Sequence, residues 1–122
     1  MNPEPDGTRY WSPNTNVFVS KTGDLIIKVA ISGLRSQDLE ITLESKNLRI
    51  TGVLRDPELS DARQLLVNEI PIGRFDSVLE VPDGFEGSAA KAAYAGGVLR
   101  IIVPRKAGPA GTFESPRRIS FD

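Results

Sequence analysis

Apolar and polar residues alternate along most of this 122-residue chain with a period of two, the period of a strand rather than a helix. In 24-DLIIKVAI-31, Leu25, Ile27, Val29 and Ile31 fall on one face, with Lys28 opposite. In 38-DLEITLE-44, Leu39, Ile41 and Leu43 alternate with Glu40, Thr42 and Glu44, as in a strand with one face in a core and one in water. The run 47-NLRITGVL-54 sets Leu48 and Ile50 against Arg49 and Thr51. In 75-FDSVLEV-81, Phe75, Leu79 and Val81 share a face around Ser77, and in 98-VLRIIV-103 Leu99, Ile101 and Val103 do the same. Turn signals separate the runs: Thr22-Gly23, Ser32-Gly33, Ser45-Lys46-Asn47, Pro71-Ile72-Gly73, Pro82-Asp83-Gly84 and Gly96-Gly97. No stretch carries a convincing helical stripe. The pattern predicts an all-β fold, an immunoglobulin-like antiparallel β-sandwich of seven or eight strands.

The stretch 92-AAYAGGVLRIIVPR-105 holds the sharpest turn. Gly96-Gly97 can take φ > 0 at both central positions of a two-residue hairpin, so 90-AKAAY-94 is expected to fold back on 98-VLRIIV-103. Two segments do not read as sandwich. Residues 55-RDPELSDARQ-64 form a long charged connection, of the kind that is functional or disordered. Residues 105-RKAGPAGTFESPRR-118 read as a flexible extension, yet they lead to Ile119-Ser120-Phe121, an apolar pair at strand spacing. That pair is either a frayed terminus or a docking peptide.

Composition removes chemistry rather than adding it. Fifteen basic and sixteen acidic residues leave a net charge of −1, which gives nucleic acid no electrostatic footprint. The chain has neither His nor Cys, so the usual general base, the commonest metal ligand and thiol chemistry are all missing. Absence of Cys also fits a reducing compartment. The N-terminal MNPEPDGTRYW is polar, and no apolar run nears the roughly 20 residues that span a bilayer. A cytoplasmic protein with no membrane or nucleic-acid partner and no cofactor is expected. Asp56, Glu58 and Asp61 cluster in a loop beside Arg55 and Arg63, which reads as solvated surface. Glu40 and Glu44 could hold a carboxylate pair, but a wet strand face gives the same pattern. Gly96-Gly97 precedes no helix and no Lys-Ser/Thr pair, so it is no phosphate loop. Catalytic and metal-ligating residues are therefore expected to be none.

The hairpin stretch resembles a known signature. Ala92, followed by Gly97-Val98-Leu99 and a strand ending at Pro104, is similar to the α-crystallin-domain pattern of small heat-shock proteins. Its context agrees in order: Trp11-Ser12-Pro13, 17-VFVSKTGDLIIKVAISGL-34, 41-ITLESKNLRITGVLR-55, 69-EIPIGRF-75 and 79-LEVP-82. Ser32 stands where a turn proline is usual, Ser77 where Arg is frequent, and Phe121 where the family's tail has Ile or Val. The long apolar arm usual in the family is represented by about ten polar residues.

The resemblance implies a short arm over 1–10, an α-crystallin domain over 11–104 and a flexible extension over 105–122. It implies an ATP-independent holdase with no catalytic group, which binds partly unfolded clients. Grooves and strand edges would carry that binding, and the implied groove residues are Leu39, Ile41, Leu43, Val78, Leu79 and Val81. Ile119 and Phe121 are the implied docking pair, filling a groove between 39-LEITL-43 and 76-DSVLEV-81, and the linker, roughly 50 Å when extended, is long enough to reach a neighbouring dimer. A homodimer is implied too, the long loop lending a strand at Leu65, Leu66 and Val67 to the partner's first strand near Val17 and Val19. A co-chaperone sandwich that binds a larger chaperone is the alternative, although such domains lack the long loop and the docking pair. A glycan-binding or adhesion sandwich would call for exposed aromatics or calcium-binding carboxylates, and an enzyme stands third.

Overall fold

The computed structural model describes residues 10–106 and 117–121, so most of the expected arm (1–9) and linker (107–116) lie outside the described residues. Strands β1 (Thr15–Val19), β2 (Leu25–Ala30), β3 (Leu39–Glu44), β4 (Asn47–Leu54), β5 (Gly73–Glu80), β6 (Lys91–Ala95), β7 (Val98–Val103) and β8 (Arg117–Arg118) make two sheets. One has the order β1-β2-β7-β6 and the other β5-β4-β3-β8, with every strand pair antiparallel. The predicted sandwich is present, and its eighth strand comes from the tail.

The period-two pattern fixes which side chains meet between the sheets. Leu25, Ile27, Val29, Leu99, Ile101 and Val103 enter from one sheet, and Ile41, Leu43, Leu48, Ile50 and Phe75 from the other; all are buried. Slipping any of these strands by one residue would turn its apolar set to water, so the core fixes the register. Gly52 lies opposite both Leu39 and Phe75 in β4. A Cβ there would come within 2.5 Å of the Phe75 ring and 2.4 Å of the Asp38 carbonyl oxygen, so only glycine lets that ring close the core.

The signature residues shape the hairpin. Gly96 and Gly97 have φ of 59° and 80°, the left-handed conformation the turn requires. Leu99 is fully buried, and Val98 faces Ala30 across the sheet. The long connection after β4 contains one helical turn, α1 (Pro57–Ser60), absent from the sequence expectation. The Asp56 carboxylate accepts from the Leu59 N–H at 3.2 Å, and proline starts the turn where no N–H is needed. The predicted acidic cluster therefore includes a helix cap. At the far end the sandwich runs past Pro104: Arg105 bridges to Phe85, and Lys106 donates to the Gly84 carbonyl at 2.8 Å.

Candidate functional site: two edges of the sandwich

At one side of the sandwich the outer edge of β3 is occupied. Leu43 pairs with Arg117 and Thr42 with Arg118, and the Ile119 N–H donates to the Ile41 carbonyl at 2.9 Å. Ile119, 2% exposed, enters the core. Phe121 points the same way two residues on, packs against the core and bridges in parallel to Ala92 of β6. The tail thus lies between the edges of both sheets, with β3 on one flank and β6 on the other. Ala90 and Ala92 keep that flank low, which leaves the room Ile119 and Phe121 fill. Gly87 belongs to the same design, since a Cβ there would come within 2.8 Å of Leu43 Cδ2. On the outer face Arg118 forms an ion pair with Glu40.

This arrangement corrects the groove expected from the sequence. Strand β4 separates β3 from β5, so 39-LEITL-43 and 76-DSVLEV-81 cannot be the two walls. Ile41 and Leu43 are brought to the tail, and Leu39 is buried in the core. Val81 is buried in the core and Leu79 packs against it, whereas Val78 is exposed on the outer face beside Arg49. The second wall is β6, and the alanines of its signature were its only sequence trace. In the single chain the docking pair is seated between its own β3 and β6.

The opposite side is bare. Strand β1 pairs with β2 alone among the described residues. Val17, Phe18 and Val19 are all about half exposed, and Val17 and Val19 sit opposite Ile27 and Leu25 on the core-facing side. Leu65, Leu66 and Val67 form no strand in the single chain, and Leu66 is 82% exposed. Ile70 is exposed as well, beside a hollow of about 450 Å³ lined by Trp11, Pro13, Ile31 and Leu54. Phe18 lies out of phase with the core-facing residues of β1 and Ile70 belongs to no strand, so neither was singled out from sequence.

The edge of β5 is covered differently. Trp11 donates its N–H to Arg74 O and accepts from the Asp76 N–H, both at 3.1 Å, and its ring lies 5.3 Å from that of Phe75. Asp76 also takes two hydrogen bonds from Arg49, which hold that guanidinium above its ordinary pKa. Ser77, which stands where the family often has arginine, pairs with Ile50 and is half-buried, and the neighbouring ion pair joins Arg49 to Asp76.

A sequence profile of the Hsp20/alpha crystallin family matches residues 18–122. The chain belongs to that family. Its members are small heat-shock chaperones, not enzymes. A curated relative, spore protein SP21 of Stigmatella aurantiaca, is 24% identical over 81 residues. The aligned part is 66% of this chain and 48% of SP21, so the chain spans about half the length of that relative. Among solved structures, a small heat-shock protein from Xylella fastidiosa, described as having a distinct high order structure, superposes with a TM-score of 0.73 at 20% identity. That match covers 88% of this chain and 97% of the other. HspA of Xanthomonas axonopodis gives 0.71 at 19% identity, over 80% and 97% of the two chains. At these identities the likeness bears on the fold. Among the described residues no helix is long and apolar enough to cross a membrane.

Proposed function

We propose that the chain is an ATP-independent holdase of the cytoplasm, which binds partly unfolded proteins through the β3/β6 groove and the apolar edge at β1. The observation that carries this reading is the groove's present occupant. A short segment at the end of the chain fills a slot between two sheets with one buried and one half-buried side chain. Burying such side chains is worth about 1.5–3 kcal/mol each before ordering costs, and ordering the linker opposes it. A ligand held that weakly can be displaced by a client strand that offers the same two apolar side chains and the same main-chain bonds.

The bare side supplies the second half of the reading. An unpaired strand with exposed apolar residues is an aggregation hazard unless something covers it. In a homodimer, Leu65–Val67 of each copy would add to β1 of the other and bury both apolar sets.

The test is light scattering of a heat-labile client with and without the protein. Suppression at several-fold molar excess is expected. Replacing Ile119 and Phe121 with Gly should strengthen suppression per subunit by vacating the groove. A folded protein that leaves aggregation unchanged in both forms would defeat the reading.

A further inference from the structure

The last described residues, 117-RRISF-121, hold a pattern separate from the apolar pair. Two arginines stand three and two residues before Ser120, and an apolar residue follows it. Basophilic serine kinases recognise that arrangement, because carboxylates in their clefts pair with guanidinium groups and the peptide lies extended. Ser120 is exposed, while its neighbour Ile119 is buried and Arg118 is paired to Glu40. A kinase therefore has access to this sequence only when the tail is free.

The register says what a phosphate would do. Leu43 faces Arg117 and Thr42 faces Arg118, so the same pairing sets Ser120 opposite Glu40. Alternation puts Ser120 on the outer face, with Arg118 and Glu40. A phosphoserine carries about −1.5 to −2 charges, and like charges directly opposite across strands are destabilising. It also offers Arg118 a second anion two residues along its own strand, in competition with Glu40. Both changes weaken the docked tail.

We propose that Ser120 is a phosphoacceptor for a basophilic serine kinase, and that its phosphorylation holds the tail out of the β3/β6 groove. Ser120 Oγ attacks the γ-phosphorus of ATP; an O–P bond forms as the bond to the β,γ-bridging oxygen breaks. The hydroxyl proton passes to the kinase's catalytic carboxylate, and ADP leaves. Modification thus selects the free tail and keeps it free. The proposal rests on the reading of Ile119 and Phe121 as the groove's own ligand.

The test treats the full chain with MgATP and the catalytic subunit of cyclic-AMP-dependent protein kinase, followed by mass spectrometry and hydrogen exchange of the 39–44 peptide. Phosphate is expected on Ser120 and absent from Ser120→Ala, whose exchange should match the unmodified chain. The phosphorylated chain should exchange about tenfold faster in β3, as should Ile119→Gly/Phe121→Gly. Failure to modify Ser120 by a kinase active on a control peptide would overturn the proposal. So would unchanged exchange after phosphorylation while the double-glycine variant is accelerated. If that variant also exchanges like the wild type, the docking reading falls and the switch with it.

Discussion

The two sides of this sandwich expose the same backbone chemistry and resolve it in opposite ways. Along β3 the free N–H and C=O groups meet a strand from the chain's own tail, and Ile119 disappears into the core. Along β1 no described strand arrives, and three consecutive apolar residues stay about half exposed. The difference lies in what the chain can reach. A tail beyond Pro104 can return to β3, whereas Leu65–Val67 leaves the β4–β5 side without pairing to its own β1. One edge is thus covered by the chain itself, and the other is left open among the described residues.

The largest effect should come from the bare side. Changing Leu65, Leu66 and Val67 to Ser should weaken self-association about a hundredfold, from roughly 3 kcal/mol of lost burial, and yield monomer in sedimentation velocity at micromolar concentration. A dimer of unchanged affinity would mean that this loop does not cover β1.

A change between the two sides should disturb both. Gly52→Ala forces the Phe75 ring towards Trp11, which covers the β5 edge, and presses on the carbonyl of Asp38 ahead of β3. Overpacking of this kind costs about 1–3 kcal/mol, read from the urea midpoint. A midpoint equal to wild type would show that the core relaxes there freely.

The occupied side should be less sensitive. Ile119→Gly with Phe121→Gly should lower stability by only about 1–2 kcal/mol, because a variant cannot lose more than the tail's net docking energy. A loss above about 4 kcal/mol would make the tail an integral part of the core.

Smallest of all is a pair that belongs to neither edge. Lys46, in the β3–β4 turn, hydrogen-bonds the Asp83 carboxylate, which lowers the Asp83 pKa and raises that of Lys46. Because the folded pKa of Asp83 is depressed, the stabilisation is complete at neutral pH and is lost as pH falls through that lowered value, below 3.8. Lys46→Gln should return Asp83 to the ordinary carboxylate range in an NMR titration and barely move the melting temperature at pH 7.

Strand positions and the core were legible in the sequence because one periodicity carried both. Leu39, Ile41, Leu48 and Ile50 alternate with polar neighbours, so their faces follow from position alone. Gly96-Gly97 was legible because few residues tolerate two successive positive φ values. The groove's second wall was not, since alternation says which residues face inward but not which strand lies next to which. Placing β4 between β3 and β5 needs pairing information that no local pattern holds. The same limit hid Glu40 as the partner of Arg118: the two are far apart in sequence and meet only through the register of β8 on β3. The tail's apolar spacing was visible, but whether it serves its own chain or another depends on the path of the linker, which spacing does not encode.

The most direct measurement is amide exchange at several protein concentrations, read separately for β1 and β3. Protection at Thr15–Val19 should rise with concentration, as a second copy covers that edge. Protection at Leu39–Glu44 should not change, because the tail that covers it belongs to the same molecule. Protection of β1 that is independent of concentration, or protection of β3 that grows with it, would contradict the division of the two edges.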